Sequence, residues 1–168
     1  TADTAYRMAC EGSGLIWRGD FQNARQLLKA IAKRIDKKFA SKLSTAVTSR
    51  ETFNLYRQAQ SQRARTLDKL LITFEADHRI LLRRAPDVHS ACEKVYGTSN
   101  EPYVTSLREL LGLIGAHEWY KKGIDIAAID AKIYPHYGVF APIRQEYIQL
   151  LAETPFPSDI TAHTTAFD

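Results

Sequence analysis

The sequence predicts a mainly α-helical fold of mixed α+β class, a helical domain of about five or six helices with a small β-hairpin. Three observations carry that prediction. Apolar residues recur at intervals of three and four through several long stretches, the period of a helix with one buried face. Two capping boxes, Thr48-x-x-Glu51 and Ser106-x-x-Glu109, stand at the head of such stretches. Strand-like runs are short, chief among them Leu70–Phe74 and Arg79–Arg83, which flank a four-residue connection. With 168 residues, 45% of them hydrophobic and 25% charged, the chain has enough apolar material for a real core.

In chain order, Ala2 to Cys10 reads as a short helix through Ala5, Met8 and Ala9, ended by Gly12 and Gly14. Leu15-Ile16-Trp17 is a brief extended segment. Asp20 is the expected N-cap of a long helix whose inner face is Phe21, Ala24, Leu28, Ile31 and Ile35, supported by Leu27 and Ala32. The other side carries Arg25, Lys29 and Lys33 at i, i+4 and i+8. That pattern fits a solvated face with cations toward a helix C-terminus, or a stripe that tracks phosphates. Trp17 and Arg18 just upstream fit a core aromatic or a stacking platform. Residues Phe39 to Val47 are small and polar and read as a loop. The helix that follows, to about Leu70, is expected to turn Phe53, Tyr56, Ala59, Ala64 and Leu67 inward. It exposes Arg57, Arg63 and several Gln, a mixture suited to water or to a ribose-phosphate backbone.

The hairpin of Leu70–Phe74 and Arg79–Arg83 is expected to leave His78 exposed in its turn. Pro86 opens a helix through Val88, Ala91, Cys92 and Val95, closed by Gly97. Arg83 and Arg84 just before it oppose the helix dipole and form a candidate anion contact. Thr98 to Val104 reads as a loop. The second capping box starts a helix from Leu107 to Lys122. Its Gly112 and Gly115, each costing up to ~1 kcal/mol relative to Ala, imply a closely packed neighbour. His117-Glu118 has no second His four residues on, so it is read as structural rather than as a zinc motif. From Ile133 the chain reads as strand, Pro-marked corner and helix, with Pro135, Gly138 and Pro142 at the corner and a helix from Ile143 to Glu153. From Thr154 it turns Pro- and Thr-rich, and Ala166-Phe167-Asp168 reads as the start of a strand.

No apolar run approaches the ~18 residues of a membrane span, and the N-terminal residues lack the pattern of a secretory signal. Two cysteines, Cys10 and Cys92, are too few for a disulfide framework; both are expected in or near the core, in a reducing cytoplasmic setting. A net charge of +4 permits an acidic partner such as RNA without demanding one. Gly12-Ser-Gly14 follows no strand, so it makes no phosphate loop. No metal cluster, nucleophile elbow or convergent acid pair is legible.

The run Gly138-Val-Phe-Ala-Pro-Ile-Arg144, a helix, and then Thr165-Ala-Phe-Asp168 resembles the approach to the catalytic domain of class I S-adenosylmethionine-dependent methyltransferases. The similarity is to the methyltransferase small domain group, related to glutamine N5- and rRNA guanine N2-methyltransferases. Trp17–Leu28 and Leu107–Trp119 resemble the N-terminal region of bacterial proteins of this kind. The resemblance implies a division into a helical substrate-recognition domain over 1–130, a strand-corner-helix segment over 131–153, and a linker over 154–168 leading into a Rossmann-like domain. It implies S-adenosylmethionine as the cofactor of the complete protein, with Val139, Phe140 and Pro142 against the cofactor cleft. It places Tyr137 and Arg144 beside the substrate. The family's Asn-Pro-Pro-aromatic motif is absent, so these residues alone are not expected to be catalytic. Arg18, Arg25, Lys29, Lys33, Arg57, Arg63, Arg83 and Arg84 are then the candidate substrate contacts. The expected partners are RNA or a ribosome- or translation-factor protein, together with the chain's own catalytic domain and no membrane. The alternative is a stand-alone helical module that binds protein or nucleic acid.

Overall fold

The structure, a computed structural model, describes residues 1–43 and 48–155. Six α-helices and five strands of two to five residues make it mixed α+β and mainly helical, as the periodicity predicts. The chain divides into two compact units, Thr1–Gly115 and Ala116–Asp168. The strand expected at Ala166–Asp168 and nearly all of the expected linker lie outside the described residues. Among those residues, no helix is long and apolar enough to cross a membrane.

The first unit is built on a three-stranded sheet in the order β1-β2-β3, with β1 at Leu15–Ile16, β2 at Leu70–Phe74 and β3 at Tyr103–Ser106. Strand β1 pairs parallel with β2, which requires a crossover of a dozen residues or more. Helices α2 (Phe21–Leu43) and α3 (Ser49–Leu67) supply it, after α1 (Ala2–Cys10). Strand β3 pairs antiparallel on the other side, from Leu71 opposite Ser106 to Phe74 opposite Tyr103. Leu70, Ile72 and Phe74 alternate into the core, where they meet the predicted inner face of α2, Phe21, Ala24, Leu28, Ile31 and Ile35. Val88 and Cys92 of the next turn and helix, and Leu107, Leu110 and Leu113 of α5 (Leu107–Lys122), complete it. Each large apolar side chain taken fully from water contributes about 1.5–3 kcal/mol.

Several expectations are corrected here. Arg79–Arg83 is not a strand, because β1 and β3 already occupy both edges of β2. The chain does reverse where the connection was expected: Asp77 and His78 are both left-handed at φ 57°, and Glu75 N–H donates to the Arg79 carbonyl at 2.8 Å. His78, expected in solvent, is 1% exposed. Its Nε2 lies 2.8 Å from the Gly97 carbonyl and its Nδ1 2.7 Å from the Tyr103 hydroxyl. A carbonyl only accepts, so in the neutral ring Nε2 carries the hydrogen and Nδ1 accepts from Tyr103. The run Thr98–Val104, expected to be a loop throughout, ends in β3. Helix α2 continues through Phe39 to Leu43 where a loop was expected, because Phe39 packs against the core and Ala40 and Ser41 do not oppose a helix. Residues 44–47 of that expected loop lie outside the described residues.

In α3, Ala59 and Leu67 are buried as expected, but Phe53 and Tyr56 are 59% and 52% exposed. The buried residues of α3 are Ala59, Thr66 and Leu67, so its first turns carry no side chain into the core. Gly115 has open space around it, so it marks no close neighbour. Cys92 is buried, whereas Cys10 is exposed at the end of α1.

The capping signals hold. Thr48 and Glu51 bond each other's backbone N–H groups at 3.2 and 3.1 Å. Asp20 Oδ1 accepts from Gln22 N–H at 2.8 Å at the head of α2. Ser106 Oγ accepts from Glu109 N–H at 3.0 Å, while the Glu109 carboxylate turns instead to the Tyr96 and Thr105 hydroxyls. Helix α4 (His89–Tyr96) closes at Gly97, φ 74°, as its sequence predicts.

In the second unit, β4 (Ile124–Ile126) and β5 (Ala131–Ile133) form an antiparallel hairpin. Gly123 leads into it at φ 73°, with the Tyr134 ring so near that a Cβ would sit 2.9 Å from it, so only glycine fits. After an irregular segment, α6 spans Glu146–Glu153, starting later than the expected Ile143.

Replacing His78 with Ala removes the bonds to the Tyr103 hydroxyl and the Gly97 carbonyl and opens a void beside Tyr103. Urea denaturation should show a loss of about 2–4 kcal/mol, and His78→Gln, which can keep one of the two bonds, should lose less.

Candidate substrate-binding surface

The predicted basic stripe is thinner in three dimensions than along the chain, because the fold pairs part of it internally. Arg63 donates to both carboxylate oxygens of Asp36, at 2.8 and 3.4 Å, across the α2–α3 seam. Arg34 reaches Asp3 of α1 at 2.6 Å. Arg25 is half-buried, 3.1 Å from Gln22 Oε1. Lys29 and Lys33 are exposed, and no ion pair holds either among the described residues.

Arg83 and Arg84 come to the N-terminus of α2. Arg84 grips Asp20 with two bonds of 2.6 and 2.7 Å, and that guanidinium, aided by the Gln22 and Asn23 N–H groups, holds the Asp20 carboxyl below its ordinary value of 3.8. Arg83 donates nothing closer than 4.0 Å to the same carboxylate and is 86% exposed. Arg18, two residues before Asp20 in the chain, is exposed too. Two arginines, Arg83 and Arg84, therefore face one aspartate. Trp17 is no open platform: its indole N–H donates to the Asp20 carbonyl at 2.9 Å and its ring lies against Gly19.

The first turns of α3 carry a different set. Arg50, Phe53 and Arg57, spaced three and four apart, share one helix face. All three are exposed, and the Arg57 guanidinium lies 5.9 Å from the Phe53 ring centre. Tyr56 is exposed alongside. The periodicity places Phe53 and Tyr56 inside; the buried residues of α3 begin only at Ala59, which leaves both rings in solvent, where flat rings and guanidinium groups suit base stacking.

A cleft of about 470 Å³ lies along β3, lined by His78 and Tyr96, by Thr98 and Ser99, by Glu101 to Thr105, and by Glu109. The loop expected over Thr98–Val104 hides it, because that reading gives Tyr103 and Val104 no strand. The signal was present: a β-branched pair behind a proline that can start but not continue a sheet.

In the second unit, the stretch that carries the resemblance lies at the surface. Val139 and Phe140 are 61% and 70% exposed, and Tyr137 and Arg144 are exposed. Pro142 is half-buried and its carbonyl accepts from Gln145 Nε2 at 3.4 Å. Gly138, φ 81°, makes the turn that brings Val139 N–H to the His136 carbonyl at 3.1 Å. The Phe140 and Tyr147 rings are 6.0 Å apart. Leu150 and Leu151 of α6 are 67% and 74% exposed. Among the described residues, no three His, Cys, Asp or Glu side chains converge as metal ligands.

Comparison with family models, curated proteins and solved structures finds no match to this chain.

The Asp20 carboxylate, with a folded value below its ordinary one, adds stability above pH 3.8 that is lost as the pH falls through the folded value. Asp20→Asn keeps a capping oxygen but loses that charge. Urea midpoints measured from pH 6 downward should therefore fall more steeply for the unaltered protein than for Asp20→Asn.

Proposed function

We propose that this chain is the substrate-recognition part of a class I S-adenosylmethionine-dependent methyltransferase acting on RNA. The observation that carries the reading is the apolar surface of the second unit. Val139, Phe140, Ile143, Leu150 and Leu151 are all exposed, while its buried apolar side chains among the described residues are Ile124 and Ile126. So small a core does not sustain a unit alone, and so much exposed apolar surface marks a face that meets another body. The same residues, Gly138 to Arg144, carry the resemblance to the approach to a methyltransferase catalytic domain. In this reading the catalytic domain covers that face, Phe140 packs by the cofactor and Arg144 meets an acidic group.

RNA is favoured over a protein substrate by Arg50, Phe53, Tyr56 and Arg57, an exposed aromatic and guanidinium set on α3. Lys29, Lys33, Arg18 and Arg83 add exposed cations for phosphates. Arg25, Arg63 and Arg84 have internal partners and hold the fold in this reading. A recognition domain contributes to catalysis by fixing the target beside the methyl donor, which removes part of the entropic barrier.

The test uses the whole protein that the gene encodes, with tritiated S-adenosylmethionine and either deproteinised ribosomal RNA or translation-factor protein as acceptor. Label should enter the RNA. Phe53→Ala with Arg57→Glu should raise the RNA KM about tenfold, the scale of one lost base stack, without changing cofactor affinity. Phe140→Ala should weaken cofactor binding. Label in neither acceptor would overturn the methyl-transfer reading, and label in the protein alone would overturn the RNA reading.

A further inference from the structure

The cleft along β3 has a chemistry opposite to the rest of the first unit. Of the residues that line it, the charged ones are Glu101 and Glu109, and no Lys or Arg is among them. The protein as a whole is positive by four charges. A phosphate backbone laid here would meet two carboxylates, so this is not where RNA would bind.

The backbone of β3 adds a second feature. Trp17 N–H donates to the Leu71 carbonyl at 2.9 Å, so the polar groups of Leu71 face β1. Successive residues of a strand face opposite edges, so those of Ile72 and Phe74 face β3. Their partners are Thr105 and Tyr103, which carry the ladder. The N–H and C=O of Val104 therefore point away from the sheet, along its outer edge. Among the described residues, no backbone hydrogen bond from another segment reaches Val104. Its side chain is half exposed. Pro102, just before the strand, has no N–H to offer, so the open edge is short and cannot template long pairing with another copy.

The walls complete the site. Tyr96 is exposed on one side, and its hydroxyl donates to Glu109 at 2.6 Å. Glu109 also accepts from the Thr105 hydroxyl at 3.3 Å, which fixes the carboxylate in the cleft, and its two oxygens have lone pairs left over. An aromatic face beside a fixed carboxylate suits a guanidinium or ammonium group, by ion pairing and by contact with the ring. His78, buried behind Tyr103, holds the floor in place. The volume is in the range of sites that take a drug-sized ligand, enough for a long cationic side chain and the backbone beside it.

We propose that this cleft docks an extended, basic peptide segment of a protein partner, which adds a strand to the edge at Val104 and sets an Arg or Lys side chain between Tyr96 and Glu109. Main-chain bonds give such a site its affinity and the side-chain pocket its choice of sequence. The inference is independent of the methyl-transfer reading, since it rests on the edge and the charges alone.

Fluorescence anisotropy with two labelled octapeptides tests it, one alternating Thr with Arg and the other alternating Thr with Glu. The Thr/Arg peptide should bind saturably and the Thr/Glu peptide should not. Val104→Pro removes the outward N–H without touching the ladder to β2 and should weaken binding about tenfold, the order of one lost hydrogen bond. Glu101→Lys, at an exposed residue, should weaken it similarly and carries the test if Val104→Pro melts early by circular dichroism. The proposal is overturned if both peptides bind alike or the Thr/Arg peptide does not saturate. It is overturned equally if a normally folded variant binds as the unaltered protein does.

Discussion

Strand β2 holds the first unit together because both of its edges are used. Its backbone pairs with β1 on one side and β3 on the other, and Leu70, Ile72 and Phe74 are buried beneath the helices. A central strand cannot leave its N–H and C=O groups unpaired in a dry core, since each costs on the order of 1–3 kcal/mol. That requirement ties residues 15–16 and 103–106 to the same five-residue segment. The parallel pairing in turn demands the long α2–α3 crossover. Phe74 stacks on Tyr103 at 4.6 Å, and Tyr103 bonds His78, so the sheet, the left-handed turn and the end of α4 form one connected set.

Ion pairs decide which cations the surface can offer. Arg34–Asp3, Arg63–Asp36, Arg84–Asp20 and Arg108–Asp68 each link segments far apart in the chain. Exposed pairs of this kind contribute little to stability individually. Their larger effect is to withdraw arginines from any outside partner. Among the exposed cations outside these pairs are Lys29 and Lys33 on α2, Arg18 and Arg83 near its head, and Arg50 and Arg57 beside Phe53 on α3. The residues that line the acidic cleft at β3 include none of these. One small unit thus carries exposed cations and a cleft whose charged residues are both acidic.

The second unit presents another balance. Its hairpin buries Ile124 and Ile126, yet the segment from Tyr134 to Leu151 keeps most of its large apolar side chains in solvent. Hydrophobic surface of that kind is tolerated where another body covers it, which is why the proposed function turns on this stretch and not on a pocket.

The sequence by itself determined the local structure. The 3.6-residue period gave the inner face of α2, and the Thr48–Glu51 box, the Asp20 cap and Gly97 marked where helices begin and end. These signals depend on neighbours a few residues away, so they are legible without a fold. Only the tertiary structure decided which strands pair, that Arg79–Arg83 stays out of the sheet, that His78 is buried, and that Phe53 and Tyr56 are not. It also decided that Arg63 and Arg84 serve Asp36 and Asp20. Each of those outcomes depends on residues tens of positions away competing for the same edge, the same cavity or the same carboxylate, and no local pattern records that competition.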